Sequence, residues 1–159
     1  NIDHTKVGMA LLVHRSFPDE EANGVAITAN IYDPSGAEPA FYVNAQTEGY
    51  SVVLPDPTIT SEQFLYYYAM QGQPITYLGY SSLVDQGKTV LTAKQVHELG
   101  VALEEIHNFF RPLYGADANK WYAMDTEFKF DQPVDDPSGK VVLYMKQARP
   151  YPGLGNNNE

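Results

Sequence analysis

Residues 121–130 read Trp-Tyr-Ala-Met-Asp-Thr-Glu-Phe-Lys-Phe, and residues 141–149 read Val-Val-Leu-Tyr-Met-Lys-Gln-Ala-Arg. In the first run Met124, Thr126, Phe128 and Phe130 alternate with Asp125, Glu127 and Lys129, the period of a strand with one face buried. The second run is of strand length and reads as the next strand. Between them Asp135-Asp136-Pro137-Ser138-Gly139 supplies the chemistry of a five-residue hairpin loop. A symmetric loop centred on Pro137 sets Glu127 opposite Gln147 and Asp125 opposite Arg149. Directly opposed residues of an antiparallel pair hold their Cβ atoms about 4.5–5.5 Å apart. One end of the hairpin then gathers two carboxylates, an amide and a guanidinium on a single face. A slip of one residue would send the partners to opposite faces.

Upstream, short β segments are expected at residues 9–14 (MALLVH), 25–29 (VAITA), 41–45 (FYVNA), 51–54, 63–68 (QFLYYY) and 75–78 (ITYL). Asn23-Gly24 and Asp33-Pro34-Ser35-Gly36 read as turns between them. One helix stands out. Thr92 with Gln95 three residues on is a capping box, and Val96, Leu99, Leu103, Ile106, Phe110 and Leu113 form an apolar stripe. Glu98, Glu104, Glu105 and Asn108 fall on the other side, and Pro112 and Gly115 stop the helix. The pattern predicts an α+β domain, a largely antiparallel sheet with one main helix.

A chain of 159 residues suits one domain, here residues 6–151, with a disordered start over 1–5 (His4 included) and a flexible tail over 152–159. Ten Lys and Arg against twenty Asp and Glu leave a net charge of -10. That balance argues against nucleic acid and against anionic membranes as partners. Cysteine is absent, and no apolar run approaches the roughly 20 residues that cross a bilayer. The first residue is Asn, as expected of a processed chain or a piece of a longer one.

The hairpin cluster has a chemical reading. A carboxylate and an amide carbonyl are oxygen ligands suited to Mg²⁺, which takes one or two protein groups and completes its shell with water and phosphate oxygens. Arg149 beside such an ion could fork onto a phosphate. The bland reading is a surface ion pair of Asp125 with Arg149, worth about 0–1 kcal/mol. Other features take ordinary explanations. His97 and His107 with Glu104 read as a solvated helix face, and Asp131, Asp135 and Asp136 as turn chemistry. Tyr66-Tyr67-Tyr68 reads as strand packing; a carbohydrate-binding tyrosine surface is a remote alternative. Ser16, Ser51, Ser81 and Ser82 lack the Gly-x-Ser-x-Gly context of acyl transfer.

Lys146-Gln147-Ala148-Arg149-Pro150, following Asp125-Thr126-Glu127-Phe128, resembles the close of the PEP/pyruvate-binding ATP-grasp domain of the pyruvate phosphate dikinase and phosphoenolpyruvate synthase family. The segment 9–15 (MALLVHR) is similar to that family's M-x-V-x-V-Q-R, residues 24–30 (GVAITAN) to its G-V-A-F-T-x-N/D, and Tyr114-Gly115 also fits. The resemblance runs in order from about Lys6 to Pro150 and implies the second lobe of an ATP-grasp fold. It implies ATP and Mg²⁺ as cofactors, with Glu127, Gln147 and Asp125 at the metal, Arg149 at the transferred phosphates, and His14, Ser16 and Phe17 at the base. It also implies an N-terminal lobe and a phosphohistidine carrier domain elsewhere in a cytoplasmic parent protein, and little activity in this chain alone. Departures are His14 where the family has Gln, a longer turn between the metal strands, and residues 45–50 (AQTEGY) where Gly-Leu-Gly-Glu is expected. Those departures leave a non-catalytic relative, used for nucleotide sensing or protein contacts, as the alternative.

Overall fold

A computed structural model describes residues 5, 8, 11, 13–53, 56–114 and 121–153. Six strands form one antiparallel sheet: β1 (Ala22–Ile27), β2 (Phe41–Thr47), β3 (Glu62–Tyr66), β4 (Ile75–Gly79), β5 (Met124–Asp131) and β6 (Val142–Pro150). Their order across the sheet is β4-β3-β2-β1-β5-β6, with α1 (Ala93–Phe110) between β4 and β5 in sequence. The architecture is therefore α+β, a sheet with one helix on it.

The core lies between α1 and one sheet face. Val96, Leu99 and Leu103 of the helix pack with Phe41, Val43, Phe64, Tyr66, Phe128 and Phe130. The inward positions of the central strand are Ala22, Gly24 and Ala26, and these small residues leave room for the phenyl rings beside them. The capping box forms as expected: Gln95 N–H donates to Thr92 Oγ1 at 3.3 Å, and Thr92 N–H donates to Gln95 Oε1 at 2.8 Å. The helix ends ahead of Pro112 with Arg111 as its C-cap. Its apolar stripe buries only in the first half, since Leu113 is exposed. Tyr66 is a core residue, and Tyr68 stacks on Phe41 at 4.0 Å between centroids.

Three local expectations are corrected. Asn23-Gly24 lies inside β1 rather than in a turn. Asn23 is fixed by its own bonds, the side chain donating to the Tyr50 carbonyl at 3.1 Å, and Gly24 lets Phe128 and the Asn44 carbonyl approach closely. The strand expected at 9–14 is not formed at its described positions: Leu11 and Val13 are exposed, and Arg15 and Phe17 anchor the segment through side chains instead. Positions 9, 10 and 12 of that segment lie outside the described residues. No strand forms at 51–53 either. Leu54, Gly115, the start at His4 and the tail from 154 also lie outside the described residues.

Candidate functional site

The β5–β6 hairpin pairs Asp125 with Arg149 and Glu127 with Gln147, as the sequence predicts. Its loop differs. The ladder ends at Asp131 opposite Val142, leaving residues 132–141 as two successive turns, Asp136 N–H to Pro133 O at 3.1 Å and Gly139 N–H to Asp136 O at 3.4 Å. On the loop side the pairs run from Phe128 with Met145 to Asp131 with Val142, half a residue off a Pro137 centre. A β-bulge between Glu127 and Phe128 restores the outer register, and Lys146 is the extra residue.

That bulge decides which way the site faces. Met145 packs against the helix-side core, so strict alternation would turn Gln147 and Arg149 inward as well. The bulge re-aims the chain: Gln147 and Arg149 are exposed and stand beside Glu127 and Asp125 on the other sheet face. Across that face one row runs Gln63, Asn44, Val25, Glu127, Gln147, and the next runs Leu65, Tyr42, Ile27, Asp125, Arg149. Among the described residues no helix covers it. Its far end is closed by an apolar cluster of Ile27, Tyr42 and Leu65 with Trp121 and Tyr151.

Arg149 donates from Nε (2.8 Å) and Nη2 (2.7 Å) to one oxygen of Asp125, Oδ2. This bond and the charge of Asp125 raise the guanidinium pKa above its ordinary value. The ion pair read as the bland alternative is thus present. Glu127 takes part in no hydrogen bond or ion pair among the described residues, and Asn44 Oδ1 is buried in the same row without a partner. Two carboxylates and an amide carbonyl stand on one face of neighbouring strands, and oxygen donors of this kind suit a hard dication. Glu127 and Gln147 would hold Mg²⁺, with Asp125 next to them.

The residues expected at the base lie at one end of this face. His14 shares with Glu127, Lys129, Lys146, Asn23 and Glu20 a cavity of about 310 Å³. Ser16 lines a neighbouring cavity of about 440 Å³ with Arg15, Asp131 and Gln132. Phe17 is buried, its ring edge-on to Tyr144 at 5.0 Å and under the Arg15 guanidinium at 4.4 Å. Arg15 in turn forms an ion pair with Asp131 and donates to the Gln132 carbonyl at 3.1 Å. Lys129 is the one cation of this cluster that the strand alternation had already placed beside Glu127. Lys146 and Asn44 carry no sequence signal of their own, because neither a bulge nor an unpaired amide is visible in a period.

His107, read as solvated, is half-buried. Its Nδ1 lies 2.9 Å from Thr28 Oγ1, which also accepts the Met124 N–H at 2.8 Å, and Arg111 Nη1 lies 3.3 Å from Nε2. Burial first, and then the Arg111 charge, hold this imidazole below its usual pKa. Through Thr28, just past β1, it ties the end of α1 to β5, away from the Glu127 face.

No protein-family model and no curated protein matches this chain.

Proposed function

We propose that the open sheet face binds Mg²⁺ with ATP, as the second lobe of an ATP-grasp domain in a dikinase-like phosphotransferase. The observation that supports this most is the β5–β6 register, which puts Glu127, Gln147, Asp125 and Arg149 together on an uncovered face. Around that face stand Arg15, Lys129 and Arg149, paired with Asp131, Glu20 and Asp125, and Lys146, with no carboxylate at ion-pair distance among the described residues.

In this reading Glu127 and Gln147 position the metal through oxygen, and Asp125 orients Arg149 through its single shared oxygen. Mg²⁺, when bound, would neutralise charge on the phosphoryl group in transfer. Arg149 would swing one N–H from Asp125 to a phosphate oxygen, adding charge where it develops. Residues 13–17 would lie beside the base, with His14 nearest the Glu127 cavity. The first lobe and the carrier histidine of a cytoplasmic parent would supply the remaining contacts and accept the phosphate.

The prediction is weak Mg-ATP binding by this chain, with the Mg²⁺-dependent part lost in Glu127→Ala by about tenfold or more, the scale seen when a metal site loses a supporting group. Titration with ATP in the presence and absence of Mg²⁺ reads this directly. One observation favours the second reading, a non-catalytic relative. Both Nε and Nη2 of Arg149 are already committed to Asp125. Under that reading Glu127→Ala leaves the Mg²⁺ dependence unchanged.

A further inference from the structure

We infer that Lys146, the bulge residue of β6, is a polyphosphate anchor of the open face. The inference rests on the nucleotide reading for the identity of its ligand, a nucleoside polyphosphate. Three cations surround the Phe17 ring: Lys146 Nζ at 4.1 Å from its centroid, the Arg15 guanidinium at 4.4 Å and Lys129 Nζ at 5.6 Å. Two of them are neutralised locally. Arg15 is paired with Asp131, and Lys129 meets Glu20 Oε1 at 2.5 Å. Lys146 has no carboxylate at ion-pair distance among the described residues; its near neighbours are the Phe17 face and His14 Nδ1 at 2.7 Å.

Lys129 and Arg15 crowd the same ring, so the ammonium stands among like charges with only the Phe17 face and His14 beside it. A cation held among cations, part-desolvated, on the wall of a cavity of about 310 Å³ gains most from an arriving anion. The bulge supplies the placement. It leaves Lys146 unpaired in the ladder and turns it into the cavity that Glu127 also lines, one residue before Gln147. Phosphate oxygens held by a metal at Glu127 and Gln147 would therefore meet this ammonium as their nearest unneutralised partner. Lysine serves such a role as a point charge.

Calorimetric titrations with Mg-ATP and with metal-free inorganic tripolyphosphate, on the wild type, Lys146→Met, Lys146→Arg and the remote Lys88→Met, test this. Loss of one charge-assisted bond predicts that Lys146→Met weakens both ligands by about tenfold or more. Lys146→Arg should retain most of the affinity, and Lys88→Met should match the wild type. Melting temperatures equal to the wild type establish that each variant is folded. Unchanged tripolyphosphate and Mg-ATP binding in Lys146→Met, beside a Glu127→Ala chain that has lost its Mg²⁺ dependence, would overturn the anchor and leave the nucleotide reading standing. Lys146-dependent tripolyphosphate binding with no binding of Mg-ATP would sink the nucleotide reading and keep a polyphosphate site. No binding of either ligand to the wild type would overturn both.

Discussion

Gly24→Ala should lower the stability of this chain by about 3 kcal/mol, the upper end of what overpacking a core costs, and Gly24→Val should leave no cooperative unfolding transition. An ideal Cβ on Gly24 would sit 2.4 Å from Phe128 Cζ and 2.5 Å from the Asn44 carbonyl oxygen. The first contact could relax by a ring shift. The second cannot, because Asn44 is held in β2 between β1 and β3. Gly24 is also opposite Ala45 on one side and Phe128 on the other, so a displaced β1 disturbs both neighbouring strands. Replacing glycine with alanine in an extended strand would otherwise gain about 0.4–1 kcal/mol through the unfolded chain. The sign is therefore informative: a urea midpoint that stays put or rises in Gly24→Ala would show that the sheet does not close around this position.

Glu62→Leu carries the second large effect. Glu62 is fully buried in β3, and its carboxylate accepts the Val90 N–H at 2.9 Å and the Leu91 N–H at 3.4 Å, just before the helix cap. Leucine keeps the volume and abandons both donors, which predicts a loss of about 2–4 kcal/mol. Burial raises the carboxyl pKa above its ordinary value, with the two backbone donors opposing. A raised folded value means that the native state holds the proton more tightly than the unfolded chain. The contribution of Glu62 is then largest below the ordinary glutamate range and declines as pH rises through the raised value. Glu62→Gln removes that slope, so the stability difference between wild type and Glu62→Gln should shift toward the variant as pH rises from about 4 to 7. Urea unfolding of both proteins at the two pH values measures it, and a difference independent of pH would contradict the assignment.

Much of the architecture was legible because it rests on local periods. Alternation over Met124–Asp131 and the Thr92–Gln95 box act within one element and need no partner to be recognised. The pairing of Glu127 with Gln147 was legible for a different reason. A symmetric loop around Pro137 and a shifted loop followed by a bulge at Lys146 lead to the same outer register. The alternation alone could not reveal the bulge, and so could not reveal that Lys146 joins the face. The described positions of the run at 9–14 show the reverse failure. An apolar run has strand character only if a sheet edge receives it, and the described positions of this one, Leu11 and Val13 among them, lie exposed outside the ladder. Asn23-Gly24 looked like a turn because those residue types favour one; a close approach between strands was the stronger constraint.

The central claim is that one face of the β5–β6 hairpin holds a dication beside a polyphosphate. Mn²⁺, added with ATP to the isotope-labelled chain in place of Mg²⁺, tests it through paramagnetic broadening of backbone amides. The account predicts that residues 125–127 and 146–149 broaden first and together, and that Glu127→Ala abolishes the effect. Broadening centred instead on Asp33 and Glu38 or on the turn at Asp135 and Asp136, with the β5–β6 amides untouched, would contradict it.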